Sequence, residues 1–302
     1  MTRSPHLRAV LQALLVTFLW STSWVLIKIG LREVPPITFA GLRYAVAAAI
    51  LLPGWWHRRS DLCAASSGEI VRLVLLALVM YAMTQGGQFL TLAHLDATPF
   101  SLLLNFTSVL VALAGLAVLR ERPTGAQWAG AAVFTGGAVL YFSPAALSAG
   151  SRLGFALAGL TVLANAAAAL LGRSVNRNTR LPPVVVTGVS MGIGAAVLLG
   201  VGLATHGLPR LTVGGWAIVV WLAAVNTAFA FTLWNRTLRS LTAIESSVIN
   251  NTMLIQIAVL AWVFLGESLG PREIGGLALA VLGTVLVQWR RRRRRAVAMP
   301  DR

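Results

Sequence analysis

Ten apolar runs, each close to the length of a helix that crosses a bilayer, constrain this chain more than any other feature. They cover roughly 9–31, 36–56, 70–93, 97–119, 125–142, 153–171, 183–204, 213–234, 244–265 and 272–289, bounded by charge, proline or glycine. Crossing about 30 Å of hydrocarbon takes a helix of about 20 apolar residues. The expected fold is therefore an all-α integral membrane protein with ten transmembrane helices. Apolar residues make up 57% of the chain and charged ones 11%, where a soluble domain would carry charge near about 25%. Pro36, Pro99, Pro123, Pro183 and Pro271 stand at or near first turns, where a missing N–H costs nothing. Trp55, Trp56, Trp128 and Trp289 stand near span ends, at the headgroup level that indole rings favour.

A net charge of +16 would suggest nucleic acid in a soluble protein. The placement of the charge argues against that partner. With the N-terminus in the cytoplasm, all but six of the 25 basic residues fall on the cytoplasmic side, the six being Lys28, Arg32, Arg43, Arg152, Arg210 and Arg272. This is the positive-inside pattern, with both termini inside. The run Arg290 to Arg295 fits a tail held at an anionic membrane surface. Cys63 is the only cysteine, so no intrachain disulfide or cysteine-based metal cluster is available. The first apolar run is too long for a signal-peptide core and reads as a retained helix.

The chain also repeats itself. Residues 91–142 align with 237–288 without a gap at an offset of 146, so that Leu95, Ala97, Ser101, Asn105, Leu119, Glu121, Gly130 and Gly137 meet Leu241, Ala243, Ser247, Asn251, Leu265, Glu267, Gly276 and Gly283. At an offset of 147, Pro35, Pro36 and Gly41 meet Pro182, Pro183 and Gly188. The expected organisation is one five-helix repeat over 1–146, a second over 147–290 and a basic cytoplasmic tail over 291–302. Five is odd, so the second repeat enters the membrane from the opposite face and the repeats are inverted. The charges agree: Arg120 and Arg122 flank Glu121 on the inside, whereas Gly266 and Ser268 flank Glu267 on the outside. Inverted repeats suit alternating access better than a static pore.

The turns Leu119-Arg120-Glu121 and Leu265-Gly266-Glu267, the Gly-containing spans after them, the Trp20-Ser-Thr-Ser-Trp24 stretch with Lys28, and Arg43 in span two together resemble the drug/metabolite transporter superfamily. Within it the chain is similar to EamA-type ten-helix members, over essentially its whole length. The resemblance implies helices arranged around a central cavity, and export of amino acids, metabolites or drugs across the bacterial inner membrane. Its motifs specify the superfamily well and the substrate poorly.

Polar side chains inside spans are costly and mark candidate sites. Asn105 and Asn251 occupy matching positions in spans four and nine, with Ser101 and Ser247 one turn before them. On span three, Tyr81, Gln85 and Gln88 form a stripe; Trp20 and Trp24 on span one offer an apolar wall, and Thr227 on span eight a weaker counterpart. These ten are the substrate-cavity candidates, and helix packing is the competing reading for the asparagines and tryptophans. Lys28, Arg43 and Glu245 are candidates for coupling or gating. For these the plainer readings are a snorkelling stem for Lys28, an internal pairing for Arg43 and helix capping for Glu245. Glu121 and Glu267 read as caps of spans five and ten or as partners of nearby arginines.

The function expected is secondary transport of a small organic metabolite, amino acid or drug, with membrane lipids as surroundings and no cofactor or metal. An enzyme would need a reactive constellation. The sequence has no His-Glu-x-x-His, Gly-x-Ser-x-Gly or Walker motif, and its histidines are scattered at His6, His57, His94 and His206. A non-transporting sensor or scaffold, or an intramembrane enzyme, are the other readings, though the connections are short and the tails small.

Overall fold

The computed structural model of the chain describes residues 5–119, 125–142, 152–238, 240–241 and 243–289. Among them all regular secondary structure is helical. The long helices are α1 (Pro5–Gly30), α2 (Pro36–Trp56), α3 (Ser67–His94), α4 (Ala97–Leu119), α5 (Gly125–Tyr141), α6 (Arg152–Asn178), α7 (Pro183–His206), α8 (Val213–Ala223, running on through Thr237), α9 (Ala243–Leu265) and α10 (Pro271–Trp289). Among the described residues, seven are long and apolar enough to cross a membrane, in α1, α2, α3, α6, α7, α8 and α9; Ala97–Val111 and Trp128–Tyr141 are shorter apolar helices. Large apolar side chains such as Leu160, Trp221, Trp262 and Phe264 stand exposed, as lipid-facing residues do in a multi-pass membrane protein.

Helix α3 begins three residues earlier than the apolar run, because Ser66 and Glu69 form a reciprocal cap. The Ser66 Oγ accepts from the Glu69 N–H at 3.3 Å, and Glu69 Oε2 accepts from the Ser66 N–H at 3.0 Å. The other oxygen of Glu69 accepts from Thr179 Oγ1 at 2.9 Å and the Arg180 N–H at 3.1 Å, fastening the loop before α7. A second clasp has the same plan. Glu33 Oε2 accepts from Thr212 Oγ1 at 2.8 Å, and Thr212 caps α8 through the Gly215 N–H at 3.1 Å. The repeat offsets carry Ser66 onto Thr212 and Glu33 onto Arg180, so the clasps occupy equivalent places with the acid supplied from opposite sides.

Helices α3 and α8 share another feature. Each widens into a π-helical stretch, Ala77–Gln85 and Ala224–Phe229. Thr84 Oγ1 donates to the Val79 carbonyl and Thr227 Oγ1 to the Leu222 carbonyl, both at 2.8 Å and both five residues back. The 146-residue offset superposes the two stretches. π-bulges inside helices gather at functional sites.

The chain packs as two compact units, and neither is one sequence repeat. The first holds α4, α5, α9 and α10 with α1 up to Val25 and α8 from Ala230. Its closest seam joins α5 to α10. A Cβ on Gly137 would come within 2.6 Å of the Gly276 carbonyl and the Ala280 N–H, and one on Gly283 within 2.6 Å of the Gly130 carbonyl. The helices run antiparallel, since Gly137 opposes Gly276 while Gly130 opposes Gly283. The offset of 146 converts the first contact into the second. Leu102, Phe134, Leu254, Ala258 and Leu277 form the core beside this seam.

The second unit holds α2, α3, α6 and α7 with the end of α1 and α8 up to Phe229. Here α2 and α7 form the closest pair, again antiparallel: Gly41 lies against the Leu199 backbone and Gly202 against that of Thr38, each with only 2.8 Å for an added Cβ. Small residues permit this approach between membrane helices. Leu73, Leu76, Val175, Leu181, Val185 and Val186 form its apolar core.

One expectation fails. Glu267 does not cap the helix it precedes. After α9 ends, Gly266 takes φ +70° and the Glu267 carboxylate turns to the start of α4, where Oε1 accepts from the Ala97 N–H at 2.6 Å and Oε2 from the Thr98 N–H at 3.0 Å. The first N–H groups of a helix have no intrahelical partner, and Ala97 and Thr98 are fully buried, so a carboxylate there replaces an acceptor that water cannot supply. The Arg120–Glu121–Arg122 turn, Arg239 and the basic tail lie outside the described residues.

Candidate functional site

A buried polar cluster assembles in the second unit from α2, α3 and α8. Arg43 sits two turns into α2 and is 5% exposed, the only charged side chain among the buried described residues. Its Nε donates to Thr227 Oγ1 at 3.1 Å, and its guanidinium carbon lies 5.3 Å from the ring centroid of Tyr44. The Tyr44 hydroxyl donates to Gln85 Oε1 at 2.6 Å, and the Tyr44 ring meets Tyr81 edge-on at 5.6 Å. The structure thus brings together Arg43, Tyr81, Gln85 and Thr227, and adds Tyr44, which links Arg43 to the two residues of α3. Tyr81 and Gln85 lie in the π stretch of α3 and Thr227 in that of α8.

Lys28 and Gln88 belong to the same unit but share no hydrogen bond with this cluster among the described residues. The Lys28 ammonium pairs with Asp96 at 3.3 Å, which ties the end of α1 to the end of α3. Gln88 is half-buried on α3.

The remaining candidates belong to the first unit. Trp24 is sealed in the core against Phe100, their rings 5.2 Å apart. Trp20 packs between Phe231 and Trp234 at 5.2 and 5.3 Å, and its buried Nε1 has no hydrogen-bond partner among the described residues. Ser101 is buried and donates to the Thr98 carbonyl at 2.8 Å; Asn105 Nδ2 donates to the Ser101 carbonyl at 2.8 Å. Asn251 is buried on α9, and the Ser247 side chain lies outside the described set. Glu245, in the first turn of α9, meets His6 Nε2 at 3.0 Å.

Sequence comparison shows what frame holds these residues. The model of the EamA-like transporter family matches residues 7–143 and again 152–289. The chain belongs to the EamA-like transporter family. It is a member of the drug/metabolite transporter superfamily built on two copies of the family's unit. An uncharacterized transporter of Archaeoglobus fulgidus is 34% identical over 133 residues, 44% of this chain and 45% of that protein. The uncharacterized transporter YcxC of Bacillus subtilis is 23% identical over 94% of each chain. A solved crystal structure superposes with a TM-score of 0.66 at 19% identity, covering 97% of this chain and 99% of the other, which establishes a shared fold.

Within this EamA-like frame, two groups of polar residues escape a reading of the sequence alone. Tyr44 looks like part of an apolar run until its hydroxyl is seen to reach Gln85. Gln256 of α9 accepts from Ser21 Oγ at 3.0 Å and donates to Thr252 Oγ1 at 3.0 Å and to Thr17 Oγ1 at 3.4 Å, binding α9 to α1. The signal for it was available: a glutamine inside span nine, spaced one turn from Thr252. Among the described residues, no group of three His, Cys, Asp or Glu side chains could hold a metal ion.

Proposed function

We propose that this EamA-like chain is a secondary transporter that exports a small organic metabolite, amino acid or drug by alternating access. In this reading ten helices span the bacterial inner membrane as inverted repeats over 1–146 and 147–290, with both termini and the 291–302 tail in the cytoplasm. The observation that carries it is the pair of antiparallel seams. Equivalent helices of the two repeats, α5 with α10 and α2 with α7, pack head to tail, and the repeat offset exchanges Gly137–Gly276 with Gly130–Gly283. Halves related in this way can exchange conformations, which turns a site open to one side into a site open to the other. The names of the relatives, both transporters, support the same reading.

Reconstitution into liposomes with a metabolite panel, with and without a pH gradient, tests it. Flux of at least one compound is expected; flux unaffected by every ion gradient means facilitated transport, and no flux at all favours the sensor reading. Asn105→Ala and Asn251→Ala are expected to lower flux about fivefold or more at normal membrane abundance, the loss of one substrate hydrogen bond. Unchanged flux in both removes these residues from the substrate path.

A further inference from the structure

Two adjacent residues of α2 reach the widened stretches of both α3 and α8. The Tyr44 hydroxyl donates to Gln85 Oε1 at 2.6 Å, and Gln85 ends the stretch Ala77–Gln85. Arg43 Nε donates to Thr227 Oγ1 at 3.1 Å, inside the stretch Ala224–Phe229. Successive residues of a helix point about 100° apart, which lets sequence neighbours serve different helices. The two side chains also meet each other, the guanidinium carbon lying 5.3 Å from the Tyr44 ring centroid. A continuous path of side chains therefore runs Gln85–Tyr44–Arg43–Thr227, wholly within the second unit.

A side chain also fixes the register of each stretch. Thr91, Thr161 and Thr284 return their hydroxyls to carbonyls four residues back, as threonines in α-helices do. Thr84 and Thr227 reach five residues back, to the Val79 and Leu222 carbonyls, which is the spacing of a π-helix. Relaxing such a stretch to the α register turns the helix beyond it by about 100° and moves it by about 1.5 Å, the step of one residue. A change in α3 alone then has two outcomes. Either α2 stays and Tyr44 loses Gln85, or α2 follows and Arg43 loses Thr227. A change in α8 alone has the mirror-image pair. Arg43 and Tyr44 are 5% and 3% exposed, so water is not at hand to replace a lost partner, and a buried polar group left unpaired is costly. Both bonds are kept only when the two stretches change together with α2.

The path is one-sided. At the repeat offset of 147, Arg43 and Tyr44 meet Ser190 and Met191 of α7. Ser190 donates to the Leu73 carbonyl of α3 at 3.4 Å, and a methionine side chain has no donor. Neither bonds to α8 among the described residues. Helix α8 leaves the second unit at Phe229, where its π stretch ends, so a change of register there turns the part of α8 that continues beyond the unit.

We propose that Arg43 and Tyr44 form a coupling latch, through which the π stretches of α3 and α8 change register together. The proposal rests on the alternating-access reading for its use in transport, and on the geometry alone for the coupling.

Full-length protein in lipid nanodiscs provides the test, by hydrogen–deuterium exchange of peptides covering 77–85 and 224–229. Exchange reports the opening of the backbone bonds that define the register. Tyr44→Phe removes the hydroxyl that holds α3, and Arg43→Met removes the donor that holds α8. Mixed states lack one bond in the wild type and lack nothing more once either bond is gone. Each single variant is therefore expected to raise exchange about fivefold to tenfold in both stretches, the effect of one buried hydrogen bond. The double variant should exceed neither single one, because a path already cut is not cut again. Ser190→Ala loosens a bond to α3 alone and should bring no rise in 224–229. Should Arg43→Met fail to fold, Tyr44→Phe and Ser190→Ala still decide. Increases confined to the mutated side, no increase in either stretch, multiplied increases in the double variant, or a rise in 224–229 with Ser190→Ala each overturn the proposal. Liposome flux separates it from the transport reading. Coupled stretches in protein that moves no compound keep the latch and remove the transporter, while flux with independent stretches does the opposite.

Discussion

Replacing Glu267 by alanine is expected to cost about 2–4 kcal/mol of stability, although the residue lies in a loop. The carboxylate accepts from two consecutive N–H groups, at 2.6 and 3.0 Å, on residues fully buried at the start of α4. A buried donor left without an acceptor costs about 1–3 kcal/mol, and loss of an ordinary exposed cap about 1 kcal/mol. The connection also joins segments 170 residues apart, so the loss loosens α4 from the end of α9. Glu267→Gln keeps one acceptor oxygen and should recover about half of the difference. Glu273→Ala, in the first turn of α10, provides the contrast, because its acid acts on the local helix dipole at a few tenths of a kcal/mol. Unfolding of the three variants in detergent, followed by circular dichroism, checks this. A Glu267→Ala midpoint no lower than that of Glu273→Ala would mean that the cap carries no such weight.

The Glu267 contact also shows where reading the sequence stops. The helices were legible because each is an apolar run bounded by charge, proline or glycine, and the repeat was legible because polar residues kept register across it. An acid after a helix, by contrast, says only that some donor is near. The sequence offers the next helix as the nearest candidate, whereas the chain brings in one from the other repeat. The cluster at Arg43 was half legible for a related reason. Arg43, Tyr81, Gln85 and Thr227 stand out as polar residues in apolar spans, but their meeting depends on three helices distant in sequence and on π stretches in two of them. Nothing in Ala77–Gln85 or Ala224–Phe229 departs from ordinary helical composition, so the widening has no signature in the residues. Trp24 shows the converse: an aromatic residue one turn from another serves equally as wall or filler in a sequence, and only the structure places its buried ring against Phe100.

The seam between α5 and α10 allows a sharper test of the internal symmetry than any alignment. Gly137→Val and Gly283→Val are expected to destabilise by about 3 kcal/mol each, the upper part of the range for overpacking. In both cases the obstacles include backbone, the Gly276 carbonyl and Ala280 N–H for one and the Gly130 carbonyl and Phe134 backbone for the other. A side chain could turn aside; a helix backbone can yield only by moving the whole helix. Gly136→Val, one residue away, is the control: its added Cβ meets nothing within 4 Å, and a surface change of this kind stays within about 0.5 kcal/mol. Because the offset of 146 turns one contact into the other, the two single variants should have matching costs. The double variant should cost clearly less than their sum. Once either valine has forced the helices apart, the second enters a gap that already exists, and substitutions sharing one displacement are not additive. Unequal single costs would show that the two ends of the seam are not equivalent, and full additivity would show that they yield independently, against a single rigid contact between the repeats' last helices.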